Sequence, residues 1–165
     1  MCESTKVLIT QAIVQFQTIE ETLVAINREM QKLSSSLPEY NTVMALYGVG
    51  DVLGPQLMAE IGDVIRFKSK KSLIAFAGID SPADQSGQMD NKSKAITKRG
   101  SASLRKTLFQ VMSVILQNSP DNEPVYTYLD KKRSEGKPYK VYMIAAANKF
   151  FRIYNVRVKE CLVNT

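Results

Sequence analysis

The chain has no histidine, and that absence alone removes much of the ordinary hydrolytic apparatus. A Ser-His-Asp triad and a Cys-His pair both need an imidazole to move a proton near neutral pH, so neither is open to this sequence. Cysteine is nearly as scarce. Cys2 and Cys161 stand at opposite ends of the chain without C-x-x-C spacing, and they read as reduced bystanders rather than metal ligands. No Gly-x-x-x-x-Gly-Lys-Ser/Thr run is present, which excludes a P-loop, and Gly48-Val-Gly50 is too short for a dinucleotide fingerprint. Apolar runs such as Met143 to Ala147 fall far short of the roughly 20 residues that span a bilayer, and the N-terminus has no signal-peptide pattern. The expectation is a cytoplasmic protein with no membrane partner. Strand-rich stretches and short internal repeats are also missing, so the expected fold class is mainly α.

Acidic charge is the other shortage. Sixteen Asp and Glu face 22 Lys and Arg, a net charge of +6. The excess is clustered: between Arg66 and Lys106 ten basic residues face three acids, so this stretch carries +7 and the remainder of the chain −1. A cationic cluster of this kind favours a polyanion, because each phosphate it neutralises releases counterions. Nucleic acid is the expected partner. With 165 residues and 44% hydrophobic content, the chain is large and apolar enough for one folded domain plus an extension.

From Cys2 to Leu37 a heptad pattern runs unbroken. Ile9, Phe16, Leu23 and Met30 share one position, and Ala12, Ile19, Ile26 and Leu33 the other. This a/d seam predicts a long coiled-coil helix; the alternative is an amphipathic helix laid on its own domain, since Val7, Leu8, Ile13, Val14 and Val24 widen the apolar face. Ser34-Ser35-Ser36-Leu37-Pro38 breaks the period and reads as a hinge, dividing a 1–37 arm from a helical domain over 38–165.

Residues 39–62 resemble a helix-hairpin-helix. Gly48, Val49 and Gly50 form the turn whose amides would meet a DNA phosphate, and Pro55 requires the second helix to begin near Val52 or Leu53. A plain helix turn is the alternative, because Asp51 would repel a phosphate placed beside it. Ser69 is a candidate cap for a helix over 70–77 that stops at Gly78. Residues 79–100 read as a long basic loop with a brief hairpin around Met89 to Ile96. A strong helix from Leu104 to Leu116 follows, capped by Ser101 or Ser103, with Arg105 and Lys106 in its first turn. Cations at that end oppose the helix dipole and point to a nearby anion. A helix over Val125 to Arg133 ends in Lys131-Lys132-Arg133, read as a solvated face. The last helix, Tyr139 to Leu162, is apolar or small around most of its circumference and should lie at the centre of the core.

The loop holds the chemistry. Asp80, Asp84 and Asp90 lie within it, but their spacing matches no metal motif, and no cofactor is expected in this chain. Ser86 stands before Gly87 in a turn-forming run. A serine hydroxyl attacking a phosphodiester needs in-line placement and positive charge on the non-bridging oxygens, which Lys98, Arg99 and Arg105 would supply. A turn serine with no chemistry is the alternative.

The order Leu46-Tyr-Gly-Val-Gly, Leu57-Met-Ala-Glu-Ile-Gly-Asp, Arg66-Phe-Lys-Ser, Leu73-Ile-Ala-Phe-Ala-Gly-Ile, Gln85-Ser-Gly, Ile96-Thr-Lys-Arg-Gly-Ser and Leu104-Arg-Lys-Thr-Leu resembles the C-terminal transposase domain of the IS-one-ten class of insertion-sequence transposases, the bridge-RNA-guided serine recombinases. Lys137-Pro-Tyr-Lys and Ala146-Ala-Asn-Lys-Phe fit its closing helices. The resemblance implies a prokaryotic, nucleoid-associated protein that acts on DNA with a guide RNA. It also implies a homodimer or higher oligomer joined through the coiled-coil connector. Ser86 matches the family serine that forms a covalent phosphoserine link to DNA. The family also carries an N-terminal DEDD domain of RNase H-like type that binds divalent metal, Mg2+ being the expected ion. This chain is expected to begin inside the connector, to lack that domain and to be inactive without it. The rival expectation is a non-enzymatic, dimeric nucleic-acid-binding module in which Ser86 is only a turn residue.

Overall fold

A computed structural model describes residues 2–81 and 95–164, and among these it contains seven α-helices, one 3-10 turn and no strand. The mainly α reading holds. The longest helix, α1 (Glu3–Ser35), runs for 33 residues, about 50 Å at the usual rise of an α-helix. It has no Gly or Pro to interrupt it. Every residue from 3 to 26 is exposed, including the seam residues Ile9, Phe16, Ile19, Leu23 and Ile26. The alternative of a helix laid along its own domain is therefore ruled out over that length. Only the last turns of α1 touch the rest of the chain, through α2 (Tyr40–Met44) and α3 (Leu53–Ile61).

The serine run after the seam is a bonded corner rather than a loose spacer. Ser34 is buried, the hydroxyls of Ser34, Ser35 and Ser36 return to the carbonyls of Gln31, Lys32 and Leu33, and the Leu37 amide donates to Ser34 O at 3.0 Å. Such side-chain bonds to the preceding turn satisfy the carbonyls that a helix end leaves open.

Next comes the glycine turn between α2 and α3. α3 starts at Leu53, as Pro55 requires, and the chain turns through Gly48 at φ +79. A side chain at Gly48 would also stand 2.8 Å from Ile115 Cγ1, so a glycine is needed both for the turn and for its close seat on α5 (Ala102–Asn118). After Ile61 the chain makes an unforeseen 3-10 turn, Val64–Arg66, capped by the Asp63 carboxylate on the Ile65 amide. Helix α4 (Lys70–Phe76) opens with a reciprocal capping box between Ser69 and Ser72.

Two further helices close the fold, α6 (Pro124–Ser134) and α7 (Tyr139–Val163). Their bounds lie within a residue of those expected. α7 touches α2, α4, α5, α6 and the 3-10 turn, and it buries Met143, Ala146, Ala147, Phe150, Phe151, Tyr154 and Val158. Its place at the centre of the core follows from that distribution, since a helix apolar on most sides needs partners on most sides. Among the described residues no helix is long and apolar enough to cross a membrane.

Candidate functional site

The described cations of the basic stretch do not all serve one purpose. Arg66, its first cation, is turned to structural use: its guanidinium stands 4.7 Å from the ring centres of both Phe67 and Phe76 and donates to Ile61 O at 2.8 Å. Cation-π contact on two rings holds the 3-10 turn against α4. Lys159, from α7, ties the same corner by donating to Phe67 O. Lys68, Lys70 and Lys71 are exposed at the start of α4, and Lys98 and Arg99 are exposed before α5.

Those last two lie beside a backbone crossing. Gly78, at φ +66, and Gly100 pass so closely that a side chain at Gly100 would stand 2.0 Å from Phe76 O. Three amides bond across it: Thr97 to Asp80 O at 2.9 Å, Lys98 to Gly78 O at 3.0 Å, and Ser101 to Phe76 O at 2.7 Å. The Thr97 hydroxyl adds a bond to the Asp80 carboxylate, which gives that acid a structural duty. The segments leading into and out of residues 82–94 are thereby fixed side by side. Lys98 takes a left-handed φ of +55 in passing through. Ser86, Asp84, Asp90 and most of the expected 89–96 hairpin lie outside the described residues.

Helix α5 begins two residues earlier than expected, at Ala102, with Ser101 rather than Ser103 as its cap. The Ser101 hydroxyl accepts from the Leu104 amide at 3.1 Å and donates to the Glu60 carboxylate at 3.0 Å. Glu60 thus puts an anion at the positive end of α5, where the dipole favours it. The anion inferred from Arg105 and Lys106 has a counterpart within the chain itself. Arg105 is half-buried and donates from one guanidinium nitrogen to Ala77 O at 3.0 Å, so part of its bonding capacity is committed to the crossing.

Of the three hairpin candidates, only Gly50 is exposed. Val49 is 7% exposed with its side chain in the core, and its amide donates to Leu46 O at 3.2 Å. Gly48 is pressed against α5. Beyond Gly50, Asp51 and Val52 are exposed as well.

Between α5, the start of α7 and the crossing lies a cavity of about 930 Å3. Ser81 and Ala95, the described residues on either side of the 82–94 segment, both line it, as do Lys98 and Arg105. Lys106 and Lys140 line it too. Lys106 shares the first-turn signal read for Arg105; Lys140 was not singled out from sequence, although it carries the same signal, a cation in the first turn of a helix. Among the described residues no group of three or more His, Cys, Asp or Glu side chains is placed to hold a metal ion. The tyrosine Tyr154 is buried, and that burial raises its pKa, so it stays a neutral core residue.

Comparison with known proteins supplies the family. Two curated relatives, the pilin gene-inverting proteins of Moraxella bovis and Moraxella lacunata, are each 26% identical over 144 residues. These alignments cover 85% of this chain and 44% of each relative, so the chain spans less than half the length of the relatives it matches. The family model described as "Transposase IS116/IS110/IS902 family" matches residues 40–127. That match takes in the hairpin, the crossing, the whole of α5 and the start of α6, more than half of the sequence, and the chain belongs to the IS116/IS110/IS902 family of transposases.

Proposed function

We propose that this chain is the C-terminal, strand-exchanging part of a bridge-RNA-guided serine transposase, with Ser86 as the nucleophile on DNA. One observation carries the reading: in a member of a transposase family, both flanks of the segment holding Ser86 line the same cleft as Lys98 and Arg105. The reaction would form a bond from Ser86 Oγ to phosphorus and break the bond from phosphorus to a sugar oxygen, which leaves as a hydroxyl. Lys98, Arg99 and the free part of the Arg105 guanidinium act on the non-bridging oxygens, where negative charge grows. The hairpin amides around Gly50 hold the duplex backbone without reading its sequence.

The described residues offer no metal site. Divalent metal, and with it the remaining half of the composite active site, is assigned to a DEDD domain elsewhere in the protein. The 1–37 arm serves as connector and pairs with its copy in another protomer through the exposed seam, while 38–165 form the transposase domain.

The test is denaturing electrophoresis of the complete transposase with guide RNA, metal and labelled DNA. A protease-sensitive shifted band should form with the native protein and vanish with Ser86→Ala, while DNA binding persists. If the band survives, the nucleophile is another residue. Replacing Lys98 and Arg99 with Ala should weaken binding to all duplexes alike and flatten the salt slope by about one unit for each phosphate left without its cation.

A further inference from the structure

We infer that the cavity between α5 and α7 receives one unpaired nucleotide of a DNA strand. Its base lies against Phe109, and its phosphates meet Lys98, Arg105, Lys106 and Lys140. The inference rests on the reading of the chain as a DNA-strand-exchanging domain and specifies which form of DNA that domain grips.

Three features of the cavity select this ligand. Its volume, about 930 Å3, exceeds what a single base needs and lies within the range of pockets that enclose small organic ligands. Its wall is apolar and partly aromatic, with Phe109, Met143 and Ile144 among the lining residues. Among the described residues that line it, four are cations and none is Asp or Glu. None of these four cations is in a salt bridge with a carboxylate among the described residues. Glu60 answers the N-terminus of α5 through Ser101 and is not among the residues lining the cavity, so the cations that line it still repel one another, and an anion within it relieves them. A ligand with a flat apolar body and a negatively charged backbone fits all three features, and a nucleotide is such a ligand.

The form of the strand follows from the same geometry. A base inside a duplex is paired on one edge and stacked on both faces, so it cannot enter a cavity; an unpaired or extruded base can. The site therefore favours single-stranded over double-stranded DNA of the same sequence. Arg105 lines the cavity while held by its bond to Ala77 O, so it meets a phosphate with less ordering still to be done. The four cations come from three places that are remote in sequence: the crossing, the first turns of α5 and the first turn of α7. A chance surface cluster along one helix would not converge in this way.

Fluorescence anisotropy with the 165-residue chain tests the inference, using a labelled 12-mer DNA strand, the same strand in duplex, and the same sequence as RNA. Phe109→Ala removes the stacking face, and Ser113→Trp fills the cavity from within α5. The Ser113 hydroxyl bonds only to its own helix, to Phe109 O at 2.9 Å, so that change breaks no bond between elements. Each variant should bind the single strand about ten-fold more weakly, in keeping with the contribution of one stacked base, while duplex affinity changes less than about two-fold. Circular dichroism that matches the native helix signal shows that the variants are folded. Unchanged single-strand affinity in both folded variants overturns the inference, as does an equal fall for strand and duplex. A fall seen with RNA and not with DNA also overturns it, because the cavity would then belong to the guide. Ser86→Ala should leave all three affinities unchanged, so failure of the nucleophile assignment is read separately, by the absence of an effect on the covalent adduct.

Discussion

The two longest helices, α1 and α7, obey the same local rules and end in opposite environments. Both are uninterrupted, and both carry an apolar residue at almost every turn. In α7 eight residues are buried, whereas in α1 only Ser34 is. Helix formation is thus decided locally, but burial is decided by what the rest of the chain offers. α7 is apolar on several sides and is covered on several sides by α2, α4, α5 and α6. α1 has its heptad seam on one side, and no element among the described residues covers residues 3–26. A narrow seam repeated every seven residues is complementary to one other helix, and the described residues of this chain supply none.

The contrast can be broken most forcefully in the arm. Leu23→Glu combined with Ile26→Glu should abolish self-association at micromolar concentration, because each charge would have to be buried in the paired seam at a cost of several kcal/mol. Light scattering across a dilution series checks this. A native chain that is monomeric at high concentration would show that the seam serves another partner. The same pair of changes should leave the melting of residues 38–165 unaltered, since neither side chain touches them.

Next in size is the matching change in α7. Phe151 is fully buried, and Phe151→Ala should cost about 3–5 kcal/mol of stability, measured by urea denaturation. Phe16→Ala in α1 removes the same ring from a residue that is 68% exposed and should leave the denaturation midpoint of the monomer unmoved. If the two variants lose equal stability, α1 is covered within its own chain.

Gly100→Ala should come third, at about 2–3 kcal/mol, because the added methyl would meet the Phe76 carbonyl and the Gly78 amide, backbone groups that cannot rotate aside. The smallest effect belongs to the exposed Lys132–Glu135 pair at the end of α6, 2.6 Å apart. Its hydrogen bond to Lys132 lowers the Glu135 pKa, so the stabilisation is present above the unfolded carboxylate's ordinary value and fades as pH falls through the lowered one. Glu135→Gln should leave the urea midpoint at neutral pH within error, and any difference from the native chain should vanish in acid.

Much of this architecture was legible in the sequence because its causes are local. Pro55 fixed where α3 begins, Ser69 fixed the start of α4, Ser101 was one of two caps open to α5, and the circumferential apolarity of Val141 to Val158 marked the central helix. What could not be read depends on residues far apart in the chain. Nothing near Arg66 announces that Phe67 and Phe76 will flank it, and the bond from Lys159 to Phe67 O joins positions 92 apart. The candidate site was legible in part. Lys98 and Arg105 do line one cleft, but Lys140 reaches it only because α7 lies beside α5.

The crossing of Gly78 and Gly100 also bears on how such a protein changes over generations. Because the chain is tied together at Phe76–Ser101, Gly78–Lys98 and Asp80–Thr97, the helices on either side have their positions set by those bonds and not by the length of what lies between them. Lengthening a closed segment is cheap, about 0.6 kcal/mol for each doubling. Insertions and deletions between residues 82 and 94 can therefore be sampled by descendants while α4 and α5 stay in register. The ties on either side, and not the segment between them, keep the two helices together.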